Sequence, residues 1–323
     1  MQSKHSTKSA RPKVLVLGSS GLLGSAIRRR SEESWEELDV FWADRSHGDL
    51  RDKRQVVELF ESASPDTVVN CAAVVGGIGR NTSEPETLLL ENLQIDSNVI
   101  ETARMFGVRK FLNFSSNCAY PVAAARPLHP NSLYQGPMES TNLGYAQAKV
   151  SAMLACELIS AKTGFAFRTL VLSNLYGPGD NYSSDQSHLV GAIVSKVLAA
   201  LETGKQQLEV WGTGAPLREF TYVDDIADFV ILHIDKIDGF PNVMNLGSGE
   251  ERTVAQLHEL ALSIVDHHLP LVFDYSRPDG IYSKLLDSSH AIRNFGWKPA
   301  TSIEVGMGKL LSSYKSRLAR RTL

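Results

Sequence analysis

Lys13-Val14-Leu15-Val16-Leu17-Gly18-Ser19-Ser20-Gly21-Leu22-Leu23-Gly24 carries an apolar run straight into three evenly spaced glycines. An unbroken apolar run of this length suits a parallel strand covered on both faces. The glycines have the spacing G-x-x-G-x-x-G, and a helical stretch from Leu22 to Arg30 follows. Without side chains the backbone can turn sharply and bring the helix N-terminus, with its N–H groups and positive dipole end, against a pyrophosphate. Gly18, Ser20, Gly21, Leu22 and Gly24 therefore read as a dinucleotide cradle, because strand, glycine turn and helix occur in the required order.

Outward from this stretch, Val40 to Ala43 reads as a second strand ending at Asp44-Arg45. Asp44 suits a free ribose 2′-hydroxyl, hence NAD(H), whereas Arg45 suits a 2′-phosphate, hence NADP(H); both stay open. Asp49 and Leu50 are expected beside the adenine, with a solvated loop acid the equal alternative for Asp49. Helices are predicted over Asp52–Ser62, Glu86–Phe106 and Asn142–Lys162, alternating with strands over Thr67–Ala73, Val108–Phe114 and Phe165–Leu172. Such alternation predicts an α/β fold, a doubly wound parallel sheet of Rossmann type. Leu172 and Asn174, at the end of the last of these strands, are expected to face the cofactor.

After Asn174 the alternation weakens. Leu189–Leu201, Val223–Ile237 and Val254–Val265 read as helices, Trp211–Pro216 as a turn-rich loop, and Leu271–Phe273 as a short strand. Asn242–Leu246 is expected to rejoin the main sheet. The predicted organisation is a tail over 1–12 and a dinucleotide-binding domain from 13–173 plus about 219–247. A smaller C-terminal α/β substrate lobe takes about 174–218 plus 248–323.

Composition narrows the function class. With 43% hydrophobic and 21% charged residues and a net charge of −3, the 323-residue chain is an ordinary globular protein with no basic surplus for nucleic acid. Cys71, Cys118 and Cys156 are too few for a disulfide framework and suit a reducing compartment. No apolar run reaches the roughly 18 residues of a membrane span, and the polar start lacks a signal peptide's apolar core. A cytoplasmic protein without a metal site is expected.

Tyr145 and Lys149 are four apart, hence on one helix face. An ammonium near a phenol is expected to lower its pKa from about 10, so that the tyrosine exchanges protons with a carbonyl or alcohol. Ser116, at a strand end, would hydrogen-bond the same oxygen. Cradle, serine and Tyr-x-x-x-Lys in this order point to nicotinamide-dependent redox chemistry at a carbon bearing oxygen.

These features resemble the extended short-chain dehydrogenase/reductases. Val75-Gly76-Gly77-Ile78, Ser116-Asn117-Cys118-Ala119-Tyr120-Pro121, Asn174-Leu175-Tyr176-Gly177-Pro178, Ser187-His188, the block from Trp211 to Phe220, and Pro278-Asp279-Gly280 resemble the GDP-L-fucose synthase family. The resemblance implies conversion of GDP-4-keto-6-deoxy-D-mannose to GDP-L-fucose by epimerisation at C3 and C5 and reduction at C4. It also implies Cys118 and His188 as the acid/base pair; their ordinary pKa values of about 8.5 and 6.5 suit proton exchange near neutrality. Substrate contacts are implied for Val75, Gly76, Gly77, Asn174, His188, Lys196, Trp211, Arg218 and Lys284, with Arg218 on the diphosphate.

Four positions depart from the family pattern. Lys196 stands for an arginine and lacks its fork, Ser20 for an arginine at the 2′-phosphate, and Asp44 for a neutral residue; the segment before Lys284 lacks a basic residue. A related GDP-4-keto-deoxy sugar, of colitose or 6-deoxyheptose type, is the alternative substrate, and NAD(H) the alternative to NADP(H). A homodimer packed through the helices Glu86–Phe106 and Asn142–Lys162 is the family expectation.

Overall fold

The computed structural model describes residues 11–180, 189–277 and 279–319. Residues 1–10 of the expected tail, together with Ser187, His188 and Pro278 of the quoted blocks, lie outside the described residues.

In chain order the first half runs β1 (Lys13–Leu17), α1 (Leu22–Ser31), β2 (Asp39–Ala43), α2 (Lys53–Ala63), β3 (Thr67–Asn70), α3 (Ile78–Ser83), α4 (Pro85–Met105), β4 (Lys110–Ser116), α5 (Leu143–Thr163) and β5 (Ala166–Leu172). The second half runs β6 (Asn174–Tyr176), α6 (Leu189–Thr203), β7 (Leu208–Trp211), β8 (Leu217–Tyr222), α7 (Val223–His233), β9 (Val243–Leu246), β10 (Glu251–Thr253), α8 (Val254–Ile264), β11 (Leu271–Asp274), α9 (Ser289–Phe295) and α10 (Ile303–Ala319). Local chemistry sets several of these ends. The Asp52 carboxylate accepts from the Arg54 N–H to start α2, Thr253 and Gln256 form a capping box on α8, and Gly164 closes α5 at φ 73.

Six parallel strands form the main sheet in the order β2-β1-β3-β4-β5-β9. The apolar run in β1 is explained by this layering. Val14 and Val16 pack with Ile27 of α1 and Ile226 and Val230 of α7, while Leu15 and Leu17 pack with Val56 and Phe60 of α2 and Val99 of α4. Because β1 pairs with β2 on one side and β3 on the other, the chain leaves it in opposite directions, which opens a crevice at the strands' C-terminal ends. Asn242–Leu246 was expected to rejoin this sheet, and β9 does.

Two small sheets, β10-β8-β6 and β11-β7, lie outside the main sheet. A separate core of Tyr176, Val190, Val194, Phe220, Leu257 and Leu310 is built by α6, α8 and α10. β3 stops at Asn70 instead of the expected Ala73, so Cys71 lies just past the strand. The reason is steric: the chain must bring Ala72 against Gly18, where even a Cβ on the glycine would sit 2.8 Å from the Ala72 Cα.

Candidate active site

Gly18 takes φ +71, a left-handed conformation that suits glycine, and Gly24 admits no Cβ because the Gly18 carbonyl fills that space. Gly21 caps α1 without any side-chain hydrogen bond, so the first N–H groups of a ten-residue helix lack a protein side-chain acceptor. A dinucleotide pyrophosphate matches both observations: room that a side chain would close, and donors at a positive helix end. Ser20 and Gly21 are exposed in this turn.

At the end of β2, the Asp44 carboxylate accepts from the Ser46 N–H at 3.0 Å and the Ser46 hydroxyl at 2.6 Å, and meets His47 Nδ1 at 2.9 Å. These bonds, from Ser46 first and then His47, hold its carboxyl down at about 2. The acid that would select NAD(H) is thus committed to the turn, while Arg45 beside it is exposed. Asp49 is gripped by Arg51, which also reaches Glu91. Leu50 packs against the core beneath.

The C-terminal ends of β4 and β5 lie side by side, with Ser116 opposite Leu172. One residue on from β5, Ser173 shares a hydrogen bond with Thr221, and Asn174 donates to the Glu219 carbonyl at 2.9 Å. Tyr145 and Lys149 project from α5, with the ammonium 6.0 Å from the phenol ring centre. That ammonium is buried and pairs with Asp96 at 3.1 Å, and Asn70 donates to the same carboxylate at 3.3 Å. The expected lowering of the Tyr145 pKa is not found. Burial, with Cys118 and Asp96 opposing a phenolate, pushes the phenol up, since Asp96 already balances the lysine charge.

Cys118 lies two residues after Ser116, and its N–H donates to the Ser116 hydroxyl at 3.3 Å. Lys284 reaches the sulfur from the other end of the chain, Nζ to Sγ 3.5 Å, and pairs with Glu139 at 2.7 Å. Beyond this, the Arg218 guanidinium donates to the carbonyls of Leu217, Asp279 and Ile281. The Asp279 carboxylate accepts from the N–H and hydroxyl of Thr213, which ties Arg218 to the turn after Trp211. Trp211 is 42% exposed and carries two cations over its ring, Arg277 at 4.7 Å and Lys196 at 5.1 Å.

The Val75-Gly76-Gly77 loop is held by Asn81, which donates to the carbonyls of Gly76 and Gly77, and by Asn92, which brackets Val74 with two hydrogen bonds. Side chain and backbone thus fix the loop while Val75 stays exposed. Of the predicted acid/base pair, Cys118 lies among the described residues beside Ser116, and His188 lies outside them.

A family model described as the NAD dependent epimerase/dehydratase family matches residues 14–247. The chain belongs to this family. Probable GDP-L-fucose synthase 1 of Oryza sativa subsp. japonica is 40% identical over 304 residues, 94% of this chain and 91% of that protein. GDP-L-colitose synthase of Yersinia pseudotuberculosis is 32% identical over 298 residues, 92% and 96% of the two chains. The GDP-L-fucose synthetase from Naegleria fowleri bound to NADP superposes with a TM-score of 0.85 at 25% identity, covering 96% of this chain and 95% of that one.

Three residues of this family member escaped the motif reading: Asp96, Glu139 and Arg277. Asp96 had a signal, because Leu88, Asn92, Asp96 and Val99 share one inward helix face, where a carboxylate needs a partner. Glu139 had none, because its partner Lys284 comes from a distant segment. Arg277 places a guanidinium 4.7 Å from the Trp211 ring centre, beside the Lys196 ammonium at 5.1 Å.

Proposed function

We propose that this chain is a bifunctional 3,5-epimerase and C4 reductase that turns GDP-4-keto-6-deoxy-D-mannose into GDP-L-fucose, with NADP(H) as cofactor. The observation that carries the reading is the thiol of Cys118 beside Ser116, with Lys284 on its sulfur. A plain C4 reductase, or an epimerase that only recycles its cofactor, needs no thiol there.

Gly18, Gly21 and Gly24 and the first turn of α1 would hold the dinucleotide, with Arg45 toward a 2′-phosphate. A reduced nicotinamide supplies the hydride for C4. Both C3 and C5 flank the C4 carbonyl, so removing either proton leaves enolate charge on the same oxygen. Ser116 and Tyr145 donate hydrogen bonds to that oxygen in each step. A phenol pushed up by its surroundings stays protonated at neutral pH, which suits Tyr145 to give its proton as C4 becomes an alcohol. Cys118 takes the C–H proton as thiolate, and His188 returns one on the opposite face. On the nucleotide side, Arg218 suits the diphosphate and Trp211, with Lys196 and Arg277, suits the base or its ribose.

Incubation with this ketosugar and NADPH in deuterated water, read by NMR, is the test. GDP-L-fucose labelled at C3 and C5 is expected; reduction without label would remove Cys118 and His188 from the mechanism. The Yersinia relative at 32% identity favours a second reading, a colitose-type 3,6-dideoxy ketosugar, which label at one carbon only would support.

The assembly is proposed as a homodimer. α4 and α5 pack together yet leave Leu90 (56%), Leu154 (43%) and Leu158 (61%) exposed, an apolar stripe that a second copy would cover. Leu158→Glu should then yield monomers in sedimentation velocity; an unchanged sedimentation coefficient would reject this face.

A further inference from the structure

We propose that Glu139 is the positioning residue that holds Lys284 against Cys118, so that the epimerising thiol works beside a fixed ammonium. The inference rests on the acid/base reading of Cys118 given above and extends it to a residue outside every motif.

Glu139 lies in the stretch leading into α5, and its carboxylate is almost fully buried. Four donors converge on it: Lys284 Nζ at 2.7 Å, Thr141 Oγ1 at 2.9 Å, Asn142 Nδ2 at 3.1 Å and the Ile281 N–H at 3.3 Å. A carboxylate offers about four lone-pair sites, so this one is filled. Two donors precede α5, the helix that carries Tyr145 and Lys149; the other two belong to the 281–284 segment. Glu139 therefore joins the hydride machinery to the segment that supplies Lys284. Gly280, at φ +72, allows the approach, since a Cβ there would stand 3.0 Å from Glu139 Oε1.

The charge matters as much as the geometry. Burial alone would push the Lys284 ammonium down, but Cys118 and Glu139 outweigh it and raise the lysine, so it stays charged. Its backbone is separately anchored, with the N–H on Glu251 at 3.3 Å. The side chain thus has two polar neighbours, the Glu139 carboxylate and the Cys118 sulfur. The ammonium thus stands 3.5 Å from the sulfur that faces the carbon-bound proton in the acid/base reading. With a neutral amide at 139 the buried amine would lose its counter-charge and tend to release its proton.

The test is deuterium wash-in at C3 and C5 of GDP-4-keto-6-deoxy-D-mannose with NADP⁺ in place of NADPH, so that no reduction intervenes. Glu139→Gln and Lys284→Gln are each expected to slow wash-in at least tenfold. The double variant should be no slower than the slower single one, because the two residues act through one contact. Thr141→Ala, which removes a different Glu139 partner and keeps the charge pair, should lose less than threefold. Parental wash-in in Glu139→Gln, multiplicative losses in the double variant, or equal loss in Thr141→Ala would each overturn the proposal. Should Glu139→Gln fail to fold by circular dichroism, Lys284→Gln decides: parental wash-in there overturns it as well. Cys118→Ala separates the two layers of argument. Parental wash-in in that variant removes the acid/base reading itself, whereas abolished wash-in with a parental Glu139→Gln removes only the role of Glu139.

Discussion

Two lysines are buried beside carboxylates in this protein, and their settings differ. Lys149 and Asp96 are 2% and 3% exposed and come from α5 and α4, neighbouring helices on the same face of the main sheet. Lys284 and Glu139 are 10% and 9% exposed and come from segments far apart in the chain, with Cys118 as a third member. The first pair is part of a packed layer, and its charges are consumed by each other and by Asn70. The second is a joint between layers, with one donor left for the sulfur. The Tyr145–Lys149 end therefore inherits the stiffness of the sheet, while the Cys118 end depends on how two segments far apart in the chain meet.

The largest effect is expected at the hydride end. Tyr145→Phe should cut NADPH oxidation by about 10²–10⁴-fold while GDP affinity persists; a loss under tenfold would take the proton-donor role from Tyr145. Asp96→Asn leaves the Lys149 charge uncompensated and should cost about 3–5 kcal/mol in urea unfolding. The matching change at Glu139 should cost less, since that pair is less completely buried; a larger loss at Glu139 would reverse the comparison.

Glu219, on β8, is fully buried, its carboxylate accepting from the N–H groups of Gly249 at 2.8 Å and Leu286 at 2.9 Å. Burial pushes its carboxyl up from 4.5 to about 7. The folded state therefore holds a proton that the unfolded chain has lost, so its stabilising contribution is complete below about pH 4.5 and is lost as pH rises to about 7. The amount at stake is about 3 kcal/mol. Urea unfolding at pH 5 and pH 8 should show a fall with rising pH that Glu219→Gln flattens; an unchanged slope in the variant would assign the fall elsewhere. The smallest effect belongs to the nucleotide end. Trp211→Ala should weaken GDP binding by about tenfold or less, the worth of one ring with its cations, and calorimetry showing unchanged affinity would leave the platform without a ligand.

How much of this was legible depended on the distance over which each feature is encoded. The glycine cradle needs one strand, one turn and one helix, all within Lys13 to Ser31, and it formed as read. The alternation up to Leu172 was likewise visible, because each element buries a face with its own period. Strands β6, β7, β8 and β10 were not read; β6, β7 and β10 have only three or four residues, too few for a period to register, and the six-residue β8 was passed over between a loop and a helix. At Tyr145 the spacing to Lys149 was read correctly and its consequence was not: burial, which the spacing does not encode, pushes the phenol up, with Cys118 and Asp96 adding to it.

The sequence by itself determined the main sheet, the strand, glycine turn and helix at its start, and the placing of Tyr145 and Lys149 on one helix, because local spacing and period suffice for these. Only the tertiary structure decided who neutralises whom. Asp96 on Lys149, Glu139 and Cys118 on Lys284, and Asp279 between Arg218 and Trp211 are contacts between segments whose separation along the chain carries no periodic trace. Buried charge must find a partner wherever the fold brings one within reach, and that partner is chosen by packing.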